Sequence, residues 1–152
     1  MAGKRHRKNC TVLSEGRTDL HADTSTTAGE RFITRGSNRK TMTKHLIAPS
    51  LLSADFRNLA RDMEMINNSE ADWFHVDVMD GNFVPNISFG MFIVEFMKSV
   101  AKKPLDCHLM MVQPERYIAE FRKAGADVIT VHYEACPHLH RTVQQIKQTG
   151  AR

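Results

Sequence analysis

The chain has 152 residues, 41% of them hydrophobic and 25% charged, with three cysteines and a formal net charge of +4. This is one domain's worth of ordinary globular composition, and no apolar run approaches the roughly 18–20 residues of a membrane span. Cys10, Cys107 and Cys136 are odd in number and lack CxxC spacing, which argues against a disulfide scaffold or a zinc ribbon and for a reducing, cytoplasmic setting.

The charge is unevenly spread. Residues 1–44 hold ten Lys and Arg against four Asp and Glu, a net of +6, while residues 45–152 hold eleven against thirteen, a net of −2. The body therefore has no electrostatic footprint for nucleic acid. Residues 1–41 are polar, lack a sustained hydrophobic period, and are expected to form a disordered leader. They contain no secretory h-region, and Glu15, Asp19, Asp23 and Glu30 suit an organelle transit peptide poorly. The basic cluster Lys4-Arg5-His6-Arg7-Lys8 suits an acidic partner, although short runs of this kind are commonly solvated tails. The preferred reading starts the natural sequence at Met42, which leaves 42–152 as the domain and 1–41 as a segment foreign to it.

From residue 46 strand and helix alternate. Leu46 to Leu52 reads as a first strand, with Pro49 tolerable near its end. Phe56, Leu59, Met63 and Ile66 lie at helical spacing, and Asn67-Asn68 close that helix. Trp73 to Met79 is the second strand, and the next helix carries Phe92, Ile93, Phe96, Met97 and Val100. Leu105 to Val112 is the third strand. Gln113-Pro114-Glu115 starts a helix whose buried stripe is Tyr117, Ile118 and Phe121, stopped by Gly125. Asp127 to Tyr133 is the fourth strand, followed by a helix burying Leu139, Val143 and Ile146. Four such units imply a parallel sheet with right-handed crossovers, either doubly wound or part of a (β/α)8 barrel. A complete barrel takes about 200–250 residues, and 42–152 supplies four units, half of one. Open edges are expected at the first and fourth strands.

Function in parallel α/β sheets gathers at the C-terminal strand ends. There the first strand offers Ser50, and the second offers His75, Asp77 and Met79 on one face. The third offers Asp106, His108 and Met110, and the fourth Thr130, His132 and Glu134. Imidazoles from neighbouring strands plus a carboxylate are ligand types that a borderline divalent metal prefers. His75, Asp77 and His108 would supply three ligands, and a carboxylate beside such a metal can take a proton next to a carbonyl. The plainer alternative for His75 and Asp77 is a hydrated strand end, and for His108 a satisfied core histidine. For His132 and Glu134 a hydrogen-bonded rim pair is the favoured reading. Met79 and Met110 are either simple core or an apolar lining.

Ala48-Pro49-Ser50-Leu51-Leu52-Ser53-Ala54-Asp55-Phe56 opens a set of recognisable motifs. It is followed by His75-Val76-Asp77-Val78-Met79-Asp80-Gly81-Asn82-Phe83-Val84-Pro85-Asn86, Cys107-His108-Leu109-Met110 and Val131-His132-Tyr133-Glu134-Ala135. Together they resemble the ribulose-phosphate 3-epimerase family, from near Met42 to the last residue. The resemblance implies a (β/α)8 TIM barrel with one divalent metal ion (Zn, Fe, Mn or Co). It implies interconversion of D-ribulose 5-phosphate and D-xylulose 5-phosphate in the pentose phosphate pathway. Matched by position, His75, Asp77 and His108 would bind metal, Asp77 would be catalytic, and Ser50, His108, Met79 and Met110 would surround the substrate. In the family a second acid/base aspartate and the glycine-rich phosphate loops lie on later strands, beyond residue 152. The expectation is therefore a truncated fragment with impaired activity, binding a sugar phosphate, homo-oligomeric when full length, with no nucleic-acid or membrane partner. The alternatives are a D-allulose-6-phosphate 3-epimerase, or a non-catalytic fragment whose basic leader binds anions.

Overall fold

Side chains that alternate across the central strands divide this fold into a helix-covered face and a polar one. The structure, a computed structural model, describes residues 10–13 and 45–152. The expected leader boundary and the cluster Lys4–Lys8 lie outside the described residues. Three strands, β3 (Phe74–Met79), β4 (Leu105–Met110) and β5 (Val128–Val131), pair in parallel in that order. His75 lies beside Asp106, Asp77 beside His108, Met79 beside Met110, and His108 beside Thr130.

On one face, Phe74, Val76, Val78, Leu105, Cys107 and Leu109 are at most 2% exposed. They pack against α1 (Leu59–Asn67), α2 (Met91–Val100) and α3 (Ile118–Ala124) through Leu59, Met63, Val94, Met97, Ile118 and Phe121. Burial of each large apolar side chain contributes about 1.5–3 kcal/mol, so this layer is the main source of stability. The opposite face has a small apolar floor of Ala48, Trp73 and Val128. The polar residues stand above that floor, toward the C-terminal strand ends.

The first strand of the body, β2 (Leu46–Pro49), is shorter than expected and joins β3 sparingly. Ile47 accepts hydrogen bonds from the backbone N–H groups of Asp72 and Trp73, and a single bridge links Ser50 to His75. The cause lies in Pro49. Backbone groups two apart on a strand point the same way, so Pro49 faces β3 as Ile47 does and has no N–H to offer. The chain then turns into a 3-10 segment, Leu51–Ser53, capped by the Ser50 side chain.

Both expected open edges have company. Along the outer side of β2 runs β1 (Cys10–Leu13), antiparallel, with Thr11 opposite Ala48 and Val12 opposite Ile47. These four residues belong to the segment expected to lack regular structure. An unpaired strand edge is a template, and a β-branched Thr-Val pair suits it. At β5, Ile129 N–H donates to the Arg152 carbonyl and Arg152 N–H to the Asp127 carbonyl.

Two helix faces also differ from expectation. The Pro114–Arg116 segment is a 3-10 turn, which rotates Tyr117 outward to 36% exposure and leaves Ile118, Phe121 and Ala124 buried. In α4 (Leu139–Gln148), Leu139 and Val143 are exposed, while Thr142 and Ile146 form the covered stripe. This helix leans mainly on α3, so only a narrow strip of it is covered. Gly125 ends α3 as expected, at φ +115°, where a Cβ would run into the stem of Lys98. Among the described residues, no helix is long and apolar enough to cross a membrane.

Candidate active site

Strand register assembles the site. Ser50, His75 and Asp106 form one row across the sheet, and Asp77, His108 and Thr130 form the next row toward the strand ends. Ser50, His75, Asp77 and Asp106 are all buried, and Asp106 is only 1% exposed. Asp77 is the centre. Its Oδ1 lies 3.0 Å from His75 Nε2 and 3.0 Å from His108 Nδ1, while its Oδ2 accepts a 2.7 Å hydrogen bond from Ser50 Oγ.

Further groups hold these side chains from behind. His75 Nδ1 is 2.8 Å from Asp106 Oδ2, and Thr130 Oγ1 donates to Asp106 Oδ1 at 3.2 Å. On the other flank, His108 Nε2 is 2.8 Å from His132 Nε2, with the two rings stacked. The loop after β3 is organised by Asp80, whose carboxylate accepts from the backbone N–H groups of Asn82, Phe83 and Val112, each at 2.8 Å. Gly81 turns this loop at φ +74°, and a Cβ there would stand 2.8 Å from Ile87 Cγ1.

Such a concentration of buried charge is costly unless it is paired. Burial opposes ionisation of Asp77, yet hydrogen bonds from His108, His75 and Ser50 outweigh it and hold the carboxyl well below the usual carboxylate range. Burial likewise disfavours the His75 imidazolium, but Asp106 and Asp77 more than compensate and push its pKa up to about 9. Cys107, beside Val76 on the helix-facing side, is pushed up to about 12 by burial and by Asp106, which favours the neutral thiol.

One donor atom each from His75, Asp77 and His108 can be chosen so that all lie within 4.8 Å of one another, a group able to hold a metal ion. The chemistry of the set fits. Two imidazole nitrogens and a carboxylate oxygen are donors that borderline divalent cations accept, and three protein donors leave positions open. Asp106 behind His75 is the carboxylate–imidazole arrangement that orients a ligating histidine and raises its basicity.

The structure thus brings Ser50, His75, Asp77 and His108 together. Met79 and Met110 sit side by side at the rim, on the same strand face by alternation and both partly buried. Asp106 is the buried partner of His75 to which the sequence assigns no role. The signal for it was present: His75-x-Asp77 and Asp106-x-His108 are complementary alternations that become partners once the strands lie in register. His132 and Glu134 are 3.7 Å apart, while His132 makes its close contact with His108. An apolar cleft of about 600 Å³, bordered by Phe56, Met79, Phe89, Phe92, Val112 and Tyr117, lies beside this cluster and includes none of Ser50, His75, Asp77 or His108.

Parallel strand–helix units with polar groups gathered at the C-terminal strand ends define a partial (β/α)8 barrel carrying a metal-capable acid/base cluster. The chain belongs to the Ribulose-phosphate 3 epimerase family, which matches residues 46–152. It is 55% identical over 106 residues to the ribulose-phosphate 3-epimerase of Bacillus subtilis, covering 70% of this chain and 49% of that protein. It is 54% identical over 112 residues to the enzyme of the same name from Synechocystis sp., covering 72% and 49%. Against the chloroplastic ribulose-5-phosphate-3-epimerase of Arabidopsis thaliana it is 49% identical over 109 residues, covering 70% and 39%. The chain spans about half the length of the curated relatives it matches, or less.

Proposed function

We propose that the protein serves the interconversion of D-ribulose 5-phosphate and D-xylulose 5-phosphate, with Asp77 moving the proton at C3. The observation that carries this reading is the convergence of His75 Nε2 and His108 Nδ1 on one oxygen of Asp77 at the C-terminal end of a parallel sheet. His75, Asp77 and His108 would hold one divalent metal ion, of the zinc, iron, manganese or cobalt type. When bound, the ion supplies positive charge for the oxyanion that develops as the C3 proton leaves.

The remaining work belongs to the side chains. Asp77 stays ionised under its three hydrogen bonds and can accept a proton from carbon. Ser50, already bonded to the other carboxylate oxygen, aims Asp77 and reaches toward the sugar. Met79 and Met110 form a rim of low polarity that limits water around the carbanionic carbon. Returning the proton to the opposite face takes a second acid. Among the described residues, Asp106 does not fill that role, because it is buried with both oxygens engaged by His75 and Thr130.

The test is a coupled assay of the purified 152-residue chain with ribulose 5-phosphate and added zinc or manganese, run in parallel on D-allulose 6-phosphate. A positioned acid/base group is worth about 10²–10⁴ in rate, so turnover should fall below that of a complete epimerase by at least that factor. The remaining activity should favour the five-carbon sugar and vanish in Asp77→Asn. Turnover that survives Asp77→Asn overturns the role of Asp77, and a preference for the six-carbon sugar overturns the substrate.

A further inference from the structure

We propose that Ser88 is a positioning residue for Asp77: its hydroxyl stands in for the strand missing beside the end of β3 and fixes the backbone from which the carboxylate is aimed. The inference rests on the reading of Asp77 as the proton-moving carboxylate of a metal-capable cluster. It deepens that reading by naming a group outside the cluster that sets where Asp77 stands.

The need arises in β3 itself. Backbone groups two apart on a strand point to the same side. Trp73 N–H reaches the Ile47 carbonyl of β2, so His75, Asp77 and Met79 turn their backbone groups to that side as well. Phe74 N–H reaches the Pro104 carbonyl, so Val76 and Val78 turn theirs toward β4. β2 keeps pace only to Pro49, and its last link to β3 is the bridge from Ser50 to His75. From Leu51 the chain runs off as the 3-10 segment. The Asp77 carbonyl and the Met79 N–H are therefore left without a neighbouring strand, at two residues whose side chains form the site. Backbone groups away from water need partners.

Ser88 supplies them. Its Oγ donates to the Asp77 carbonyl at 2.8 Å and accepts from Met79 N–H at 3.0 Å. Its own N–H donates to the Met79 carbonyl at 3.3 Å. A hydroxyl both donates and accepts, so one atom reproduces the two bonds that a residue on an adjacent strand would make. The loop after β3 delivers it. Gly81 turns the chain at φ +74°, Asp80 and Ile87 pair as a short antiparallel return, and Ser88 follows. The two peptide planes between Asp77 and Met79 are thus held by β4 on one side and by Ser88 on the other. Ser50, His75 and His108 already hold the carboxylate end of Asp77. Ser88 holds its backbone end. Misplacement of a reacting group by about 1 Å can cost about 10²-fold in rate, so both ends matter.

The experiment uses the full 152-residue chain with Ser88→Ala, which removes the hydroxyl, and Ser88→Thr, which retains it. Asp127→Ala, at the opposite strand ends, serves as a variant that loses stability without touching this contact. The carboxyl 13C signal of Asp77 is followed in the metal-free proteins, with circular dichroism to check folding. Cobalt(II) is then titrated in and read by its visible absorption. The expected result is a displaced Asp77 signal and cobalt binding weakened about 10-fold in Ser88→Ala, the low end for groups behind a metal site. Ser88→Thr should restore both, and Asp127→Ala should move neither. A folded Ser88→Ala with the parent signal or the parent affinity overturns the inference. So does a Ser88→Thr as impaired as Ser88→Ala, or the same changes in Asp127→Ala, which would trace them to lost stability alone. Should the parent chain bind no cobalt, the metal reading fails separately, and the Asp77 signal of the metal-free proteins decides the role of Ser88 by itself. If Ser88→Ala does not fold, Ser88→Cys, a weaker donor and acceptor, is read by the same measures against the same outcomes.

Discussion

The two ends of the parallel strands are built from similar residues for opposite ends. At the N-terminal ends, Asp127 takes the Lys98 ammonium at 2.7 Å, the Leu105 N–H at 3.0 Å and the Arg122 guanidinium at 3.6 Å. The Asp127 charge meets two cations, the groups are partly solvated, and the cluster ties α2, β4 and α3 together. At the C-terminal ends, Asp77 and Asp106 are buried with imidazoles as their charge partners. Lys and Arg, the cheap way to neutralise a carboxylate, are not among those contacts. One end spends its charge on holding elements in place. The other carries an arrangement whose charge is best balanced by protons or by a metal ion, and that is the mark of a site.

Substitutions at the two ends should therefore separate metal binding from stability. The largest effect is expected for Asp77→Asn: cobalt or zinc affinity should drop at least about 100-fold, because the anionic member of the proposed donor set becomes a neutral amide, a larger change than loss of an outer partner worth 10–100-fold. Calorimetric titration measures it, and an affinity within a factor of two of the parent would break the contrast. Asp106→Asn keeps an oxygen for His75 Nδ1 but removes the charge, and should weaken metal binding about 10–100-fold. At the other end, Asp127→Ala should leave metal affinity untouched and lower unfolding stability by about 1 kcal/mol, a modest figure because the pair is partly exposed to solvent. Urea unfolding reads that out.

The smallest effect is one of pH. Lys98, the Leu105 N–H and Arg122 outweigh the burial that would raise the Asp127 pKa, and it lies below the ordinary carboxylate value. A depressed carboxylate stabilises the fold above its unfolded-state pKa, and that contribution is lost as pH falls through the folded-state value. The urea midpoint of the parent should thus decline through the acid range more steeply than that of Asp127→Asn. Equal slopes would assign the acid sensitivity elsewhere.

Much of this was legible in the residues. Period-two alternation in Phe74–Met79 and Leu105–Met110 separates a helix-facing row from a polar row, and Gly125 marks the end of α3. Pro49 is tolerable near a strand end by its type alone, but which edge its missing N–H faces depends on the neighbour, and that decides how far the first two strands pair. Tyr117, Leu139 and Val143 are apolar at helical spacing yet exposed, because spacing shows that a stripe exists and only packing shows which part is covered. Asp106 and His132 were hidden for a related reason. Their partners, His75 and His108, lie 31 and 24 positions away in the chain, and only strand register makes those pairs neighbours.

The strand Cys10–Leu13 has a topological consequence. Ile47 uses its N–H and carbonyl toward Asp72 and Trp73, so by alternation it is Leu46 and Ala48 that present theirs to the outer side of β2. A closed barrel needs that same row of groups for a parallel neighbour. Antiparallel β1 and a barrel-closing strand are therefore rivals for a single seat, and only one of them can be hydrogen-bonded to β2 at a time.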